Sequence, residues 1–148
     1  MPTYKGKFTP DNPSKYMGDV ENIIYRSGWE RRAMKYFDVN PGVLKWASEE
    51  VAIPYYDSVG KKVRRYFPDF LIKVKNAEGN TQTHLIEVKP SKDLRPPVGG
   101  RGKKKSTVLY EMKTYRMNRD KFAAARKWCD DRNIIWDIWT EKQLKQKG

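Results

Sequence analysis

Apolar residues recur at helical spacing in two parts of the chain. Trp29, Ala33 and Phe37 stand at i, i+4 and i+8, so their spacing predicts a helix over about 28–38. A second stretch, about 107–132, repeats apolar residues at intervals of three, four or seven. These intervals predict one long helix, or two helices in series, with an apolar face turned towards a core.

Strand-forming residues gather between and after these helices. The segment 43–56 predicts one bent strand or two short ones, and 61–75 predicts the clearest strand of the chain. A glycine-containing loop, 76–80, then joins 61–75 to a returning strand over 81–89. The segment 133–139 predicts a short buried strand near the end of the chain.

The predicted elements follow the order helix, strand, strand, strand, helix, strand, helix. This order predicts an α/β protein with one mixed sheet flanked by helices. The last helix is expected to begin after Thr140, which opens a T-x-x-Q capping box. A length of 148 residues suits one core, so we expect an extended arm over 1–20 and a single domain over 21–148. Within that domain, 91–106 is rich in Pro, Gly and Lys and predicts a mobile loop.

Positive charge adds a candidate partner. The chain has 31 Lys and Arg against 18 Asp and Glu, a net charge of +13, and twelve of these bases lie between Pro90 and Lys127. A polyanion is the natural partner of such a segment, and we predict double-stranded DNA, although a solvated, solubilising surface is the alternative. No apolar run approaches the ~20 residues of a membrane helix, so we expect no membrane partner. The predicted DNA contacts are Lys92, Arg95, Arg101, Lys103, Lys104, Lys105, Arg116 and Arg119.

The composition also limits the metal chemistry. Cys129 is the sole cysteine and His84 the sole histidine, which excludes an internal disulfide and the zinc sites that need several of these residues. A metal in this chain must therefore be held by oxygen ligands. Carboxylates favour a hard ion such as Mg²⁺, or Mn²⁺.

Three residues near the predicted hairpin could carry the chemistry. Glu87 and Lys89 alternate with apolar residues, so both point to one face of their strand. Asp69 lies on the preceding strand, and the hairpin would bring it to the same end of the sheet. Two carboxylates in an apolar setting repel each other unless a cation binds between them. Water on a magnesium ion could then attack a phosphodiester, while the lysine holds that water or offsets phosphate charge. The alternative for Glu87 and Lys89 is an ordinary surface salt bridge.

The order of these motifs resembles a known superfamily. RYFPDFLIKV followed by HLIEVKP resembles the PD-(D/E)xK nucleases, read as Pro68-Asp69, a hairpin, then Glu87-Val88-Lys89. YRSGWERRAMKYFD, WASEEVAIPY, YFPDF and IEVKP in succession resemble the TnsA-type endonuclease domain over about residues 20–140. Within that group, the chain is similar to the head-completion nucleases of large contractile-tailed phages.

The resemblance implies a restriction-endonuclease-like fold and a metal-dependent DNA endonuclease. It implies that Asp69 and Glu87 bind the metal with the Val88 carbonyl, that Lys89 is the catalytic lysine, and that Glu30 completes the site. It further implies action on packaged or newly cut phage DNA in the host cytoplasm before the tail joins the head. Portal, neck or capsid proteins would be the partners, with possible retention in the virion. A non-catalytic head–neck protein and a transposase-type end-nicking subunit are the alternatives.

The role of Glu30 has two interpretations. Ser27-Gly28-Trp29-Glu30 matches S-x-x-E, so this carboxylate could close a capping box at the start of the first helix. The family resemblance instead favours a metal ligand or a group beside one. One carboxylate cannot easily face both its own N-cap and a metal ion, so the two roles compete.

Overall fold

The computed structural model describes residues 5–100 and 102–147. The strands are β1 (Gly6–Lys7), β2 (Ile24–Tyr25), β3 (Val43–Ser48), β4 (Ile53–Asp57), β5 (Lys62–Tyr66), β6 (Phe70–Lys75), β7 (Thr81–Val88) and β8 (Ile135–Trp139). The helices are α1 (Gly28–Val39), α2 (Lys105–Asp131) and α3 (Glu141–Lys147), with short 3₁₀ helices at Pro13–Lys15, Val20–Asn22 and Ser91–Leu94. None of the described helices is long and apolar enough to cross a membrane.

A four-stranded mixed sheet forms the centre of the protein. Its order is β3-β6-β7-β8, antiparallel except for the parallel pair β7–β8. The helices and central strands follow the chain order α1, β3, β6, β7, α2, β8, α3. The predicted α/β class and its order around one mixed sheet are therefore confirmed.

The prediction of one strand over 61–75 is wrong in detail, because this segment forms two strands. β5 ends at Tyr66 and β6 begins at Phe70, with the buried Pro68 between them. Proline has no backbone N–H for a sheet ladder, so the chain changes direction there. β5 pairs with β4 in a separate two-stranded ribbon. Of the two interpretations for 43–56, two short strands is correct.

The turn between β6 and β7 agrees with the predicted hairpin. The Asn76 N–H donates to the Asn80 carbonyl (2.8 Å), and the Asn76 side chain accepts from the Glu78 and Asn80 backbones. Gly79 has a φ of +83°, which L side chains rarely adopt. The turn therefore sets the pairing of β6 with β7.

Each face of the sheet carries its own apolar cluster. α1, α3 and the N-terminal segment cover one face with a cluster around Phe37, Trp46 and Phe70. α2 and the β4–β5 ribbon cover the other face, where Tyr66, Leu85, Ala125 and Cys129 are buried together. Leu85 and Ile86 lie in different clusters, as the alternation along β7 predicts. The sheet is thus covered on both sides.

The N-terminal segment contacts the domain. β1 pairs with β2, and Tyr16 packs its ring against Trp46 with centroids 4.7 Å apart. The Asp38 carboxylate accepts backbone N–H groups from Asp11 (2.7 Å) and Asn12 (3.0 Å). Residues 5–20 therefore lie along α1 and β3, and the boundary predicted at residue 20 stays a prediction.

The C-terminal half is built on one helix and its connections. α2 is a single helix, so of the two predicted arrangements one long helix is correct. The helix begins at Lys105, so Lys105 and Ser106 are helical and do not belong to the loop predicted over 91–106. The Ser91 backbone and hydroxyl both donate to Glu141, which lowers the pKa of that carboxyl to about 2. The capping box at α3 is confirmed, since the Thr140 N–H donates to Gln143 Oε1 (2.7 Å).

A substitution at Phe37 tests the packing of the cluster that Phe37 forms with Trp46 and Phe70. Its side chain is fully buried against the rings of Trp46, Phe70 and Trp139, so Phe37→Ala should lower the free energy of unfolding by roughly 3–5 kcal/mol. Val39→Ala on the same helix should change it by less than about 0.5 kcal/mol, because Val39 is exposed. Urea unfolding followed by circular dichroism measures both, and equal effects would contradict the assignment of the core.

Candidate active site

The β6–β7 register brings the predicted carboxylates together. Phe70 pairs with Ile86, and the next position outward sets Asp69 opposite Glu87. The Asp69 N–H donates to Glu87 Oε1 (3.3 Å), and the Val88 N–H donates to Asp69 Oδ2 (2.8 Å). The convergence predicted from the hairpin is therefore present in the fold.

Glu87 is held by the β4–β5 ribbon. The Tyr66 hydroxyl donates to Glu87 Oε1 (2.6 Å), and the carboxylate is 7% exposed. Burial raises the pKa of Glu87, while the hydrogen bond from Tyr66 and the charge of Lys89 oppose that rise. One oxygen is thus shared by two donors, and the other faces Lys89 at 3.8 Å.

Asp69 lies close to two other carboxylates. Burial raises its pKa well above the usual value, and repulsion from Glu87 and Glu30 adds to the increase. The Val88 N–H and the Lys89 ammonium act in the opposite direction. The folded chain therefore contains two neighbouring carboxylates, Glu87 buried and Asp69 partly buried, whose ionisation is unfavourable without a further cation.

Two lysines face these carboxylates from different elements. Lys89 follows β7 directly, and its backbone N–H donates to the Trp139 carbonyl (2.9 Å), which fixes where its side chain begins. Lys121 comes from α2, with its ammonium 5.7 Å from the centroid of the Tyr66 ring. Burial lowers the pKa of Lys121, and repulsion from Lys89 lowers it further. Both ammonium groups thus lie within electrostatic reach of Glu87.

Glu30 occupies the capping position. Its N–H donates to Ser27 Oγ (3.1 Å), and the Ser27 hydroxyl donates back to Glu30 Oε2 (3.3 Å). Burial raises the pKa of the Glu30 carboxyl, and Glu49 adds repulsion. Its charge also reaches Asp69, so Glu30 lies beside the site while capping α1. Its role as a metal ligand stays a prediction.

The donor set suits a hard divalent cation. Asp69, which is partly buried, and the buried Glu87 supply carboxylate oxygens with raised pKa values, and a divalent charge would offset their repulsion. Within 5–100 and 102–147, no group of three or more His, Cys, Asp or Glu side chains is arranged to hold a metal ion. The remaining ligands would therefore come from water or backbone, and the Val88 carbonyl stays a predicted ligand.

A basic groove leads away from Lys89. Its volume is about 620 Å³, and it is lined by Lys89 and, from the 91–104 segment, by Lys92, Arg95 and Lys103. Lys103 pairs with Glu111 of α2 (3.1 Å), so this segment is tied to the helix. The groove joins predicted DNA contacts to the lysine of the candidate site.

The other predicted DNA contacts are divided between two places. Lys104 and Lys105 are exposed at the start of α2. Arg116 and Arg119 line a second depression of about 700 Å³ beside Pro96 and Pro97. Arg119 also donates to the Tyr115 hydroxyl (3.2 Å). Arg101 lies outside the described residues.

Sequence reasoning missed Tyr66 and Lys121 as members of the site. Tyr66 belongs to a strand that was not separated from β6, and nothing in the sequence marks its hydroxyl. The position of Lys121 could have been inferred from helix periodicity. It precedes the buried Ala125 by four residues and so lies on the same face of the helix. A lysine on the sheet-facing side of a helix needs a nearby anion.

Comparisons with known proteins agree with this arrangement. A family model described as TnsA-like endonuclease N terminal matches residues 40–141, a span that includes Asp69, Glu87, Lys89 and Lys121 but not Glu30. The Head completion nuclease of Enterobacteria phage T4 is 38% identical over 148 residues, covering 98% of this chain and 96% of that protein. Both matches confirm the resemblance found in the motifs, and the chain belongs to the TnsA-like endonuclease family.

Proposed function

We propose that this protein is a metal-dependent DNA endonuclease of the PD-(D/E)xK type that acts during phage head completion. The observation that carries the proposal is the pair of mutually repelling carboxylates of Asp69 and Glu87, with two lysines near them. Relatedness to a head completion nuclease over almost the whole chain supports the viral role. The site of action would be packaged or newly cut DNA in the infected host, before the tail joins the head.

Asp69 and Glu87 would hold the cation, which we expect to be Mg²⁺ or Mn²⁺. When bound, the metal activates water and stabilises charge on the phosphodiester. Val88 and Tyr66 orient the two carboxylates through the hydrogen bonds that they donate. These bonds fix the carboxylates before substrate arrives, which preserves the geometry that catalysis needs.

The lysines would act on the scissile phosphate. Lys89 approaches from the end of the central sheet and Lys121 from α2, so cationic groups flank the carboxylates on two sides. An ammonium group near a phosphate stabilises the charge that develops on its oxygens during hydrolysis. Lys89 would also orient the attacking water, as the resemblance implies.

A plasmid assay tests the proposal. Supercoiled DNA should be lost with Mg²⁺ and remain intact with chelator. Asp69→Ala and Glu87→Ala should abolish cleavage but keep DNA binding, or tighten it, because repulsion of the phosphate decreases. Lys89→Ala should lower the rate while metal affinity stays near normal. Intact plasmid under every divalent ion would instead support a DNA-binding or structural head–neck protein, and full cleavage by Asp69→Ala would refute the site.

The stability of the metal-free protein should depend on pH through Asp69. Its folded pKa is raised above 3.8, so the folded state binds more protons, and stability falls as pH rises from 3.8 through the folded pKa. Asp69→Asn should therefore be more stable than wild type at pH 7 in chelator, with the difference shrinking as pH falls.

Urea unfolding at several pH values measures this difference. Asp130→Asn, on the exposed end of α2, is the control and should follow the wild type. Saturating Mg²⁺ should stabilise the wild type more than Asp69→Asn. Parallel pH curves for wild type and Asp69→Asn would contradict the prediction.

The lysines before and at the start of α2 should contribute to DNA affinity. Replacing Lys103, Lys104 and Lys105 together with Gln should reduce the slope of log affinity against log salt by up to about 2.7, at ~0.9 per lost phosphate contact. Fluorescence anisotropy in chelator measures the slope without cleavage. The melting temperature should not change. An unchanged slope would assign the DNA to the α2 surface that carries Arg116, Arg119 and Arg126.

A further inference from the structure

The β4–β5 ribbon has a solvent face that the fold does not use. Its inner face packs on α2 through Ile53, Tyr55 and Tyr66, which are buried. On the outer face, Tyr56 is 58% exposed and Val63, its cross-strand partner, is 70% exposed. Neighbouring large apolar residues on one exposed face commonly mark a contact surface.

The ribbon is rich in cations. The ribbon and its turn carry Lys61, Lys62, Arg64 and Arg65. The one carboxylate between residues 53 and 67 is Asp57, which is buried and paired with Arg64 (2.8 Å). Among the described residues, Lys61, Lys62 and Arg65 form no ion pair. Arg65 pairs with Pro54 and so shares the outer face with Tyr56 and Val63, whereas Lys62 and Arg64 pair with Asp57 and Tyr55 of the inner face. Arg65 and the turn residue Lys61 thus give the outer face a positive charge that matches a polyanion.

The ribbon is held rigidly beside the candidate active site. Asp57 Oδ1 accepts the Val59 (2.9 Å) and Gly60 (3.0 Å) N–H groups, and a Cβ on Gly60 would lie 2.6 Å from Asp57 Oδ2. The Ser58 N–H and hydroxyl donate to Asp120 of α2 (2.9 and 2.7 Å). The hydrogen bonds within the turn and those to α2 therefore fix the orientation of the ribbon.

The outer face continues to the candidate metal ligand. Arg65 places its guanidinium 5.7 Å from the centroid of the Phe67 ring, and Phe67 is 43% exposed two residues before Asp69. At the same end, Tyr66 donates to Glu87. A ligand lying on this face would thus reach the end of the ribbon that is closest to the two carboxylates along the chain.

We propose that the outer face of the β4–β5 ribbon is a second contact surface for duplex DNA, which positions the duplex against the site. The major groove of B-DNA admits a two-stranded ribbon, and the cations at the turn and at Arg65 would meet the flanking phosphates. Tyr56 and Val63 would make uncharged contacts with the base edges in the groove. This inference rests on the proposed function and adds a surface whose turn, at Ser58 and Val59, lines the same depression as Pro96 and Pro97 of the 91–104 segment.

Two charge variants test the surface. Lys61→Gln with Arg65→Gln removes two cations from the ribbon. Lys73→Gln with Lys75→Gln removes two exposed cations from the end of β6 away from Asp69 and is the matched control. In chelator, the ribbon variant should reduce the salt slope for duplex binding by about 1.8, at ~0.9 per contact, and the control should not.

An uncharged variant tests the apolar part. Tyr56→Thr with Val63→Thr keeps strand-forming residues and should weaken duplex binding on the order of tenfold with an unchanged salt slope. Melting temperatures should match the wild type in all three variants, and the ribbon variants should lose less affinity for a single-stranded oligonucleotide than for the duplex.

The outcomes separate this inference from the proposed function. Equal duplex affinity and slope in the ribbon and control variants, with wild-type cleavage intact, would overturn the ribbon surface and leave the nuclease in place. Equal losses on duplex and single strand would also overturn it, since the face would be a general anion site. A wild type that neither binds nor cuts DNA would overturn both.

Discussion

The pairing of β6 with β7 is the constraint on which the site depends. A strand alternates its side chains between two faces, so a slip of one residue would turn Glu87 towards the Phe37 cluster and Ile86 towards α2. The Asn76–Asn80 turn and the apolar demands of both sheet faces fix the register. The same ladder that forms the core therefore sets Asp69 opposite Glu87.

The site shows how a stable scaffold maintains an unfavourable local arrangement. Asp69 is partly buried beside the buried Glu87, and burial raises the pKa of both. Buried charge of one sign costs free energy that apolar packing on both sides of the sheet must offset. The hydrogen bonds from Tyr66 and Val88 orient the carboxylates but do not neutralise them. In the proposed function, a bound divalent cation would neutralise the pair.

Positive charge is organised around the carboxylates in three layers. Lys89 faces Glu87 and Lys121 lies over the Tyr66 ring within electrostatic reach of it, and the groove beyond Lys89 carries further bases. The β4–β5 ribbon adds an outer surface that contains both cations and exposed apolar side chains. α2 connects all three, because it presents Lys121, lines the groove and anchors the ribbon through Asp120.

The sequence by itself determined the features that depend on local chemistry. The helix over α1, the turn at 76–80, the cap at Thr140 and the alternation along β7 each follow from residues close together in the chain. The convergence of Asp69 with Glu87 was also predictable, since one short turn links their strands.

Only the tertiary structure decided the features that join distant segments. The break at Pro68 removes β5 from the central sheet, and whether a strand pairs locally or elsewhere depends on partners that a single segment does not specify. Tyr66 and Lys121 reach Glu87 from two other elements, and the ribbon acquires an outer face only because α2 covers the inner one. Local sequence patterns set the conformation of each segment, whereas burial and charge at the site arise from contacts between segments far apart in the chain.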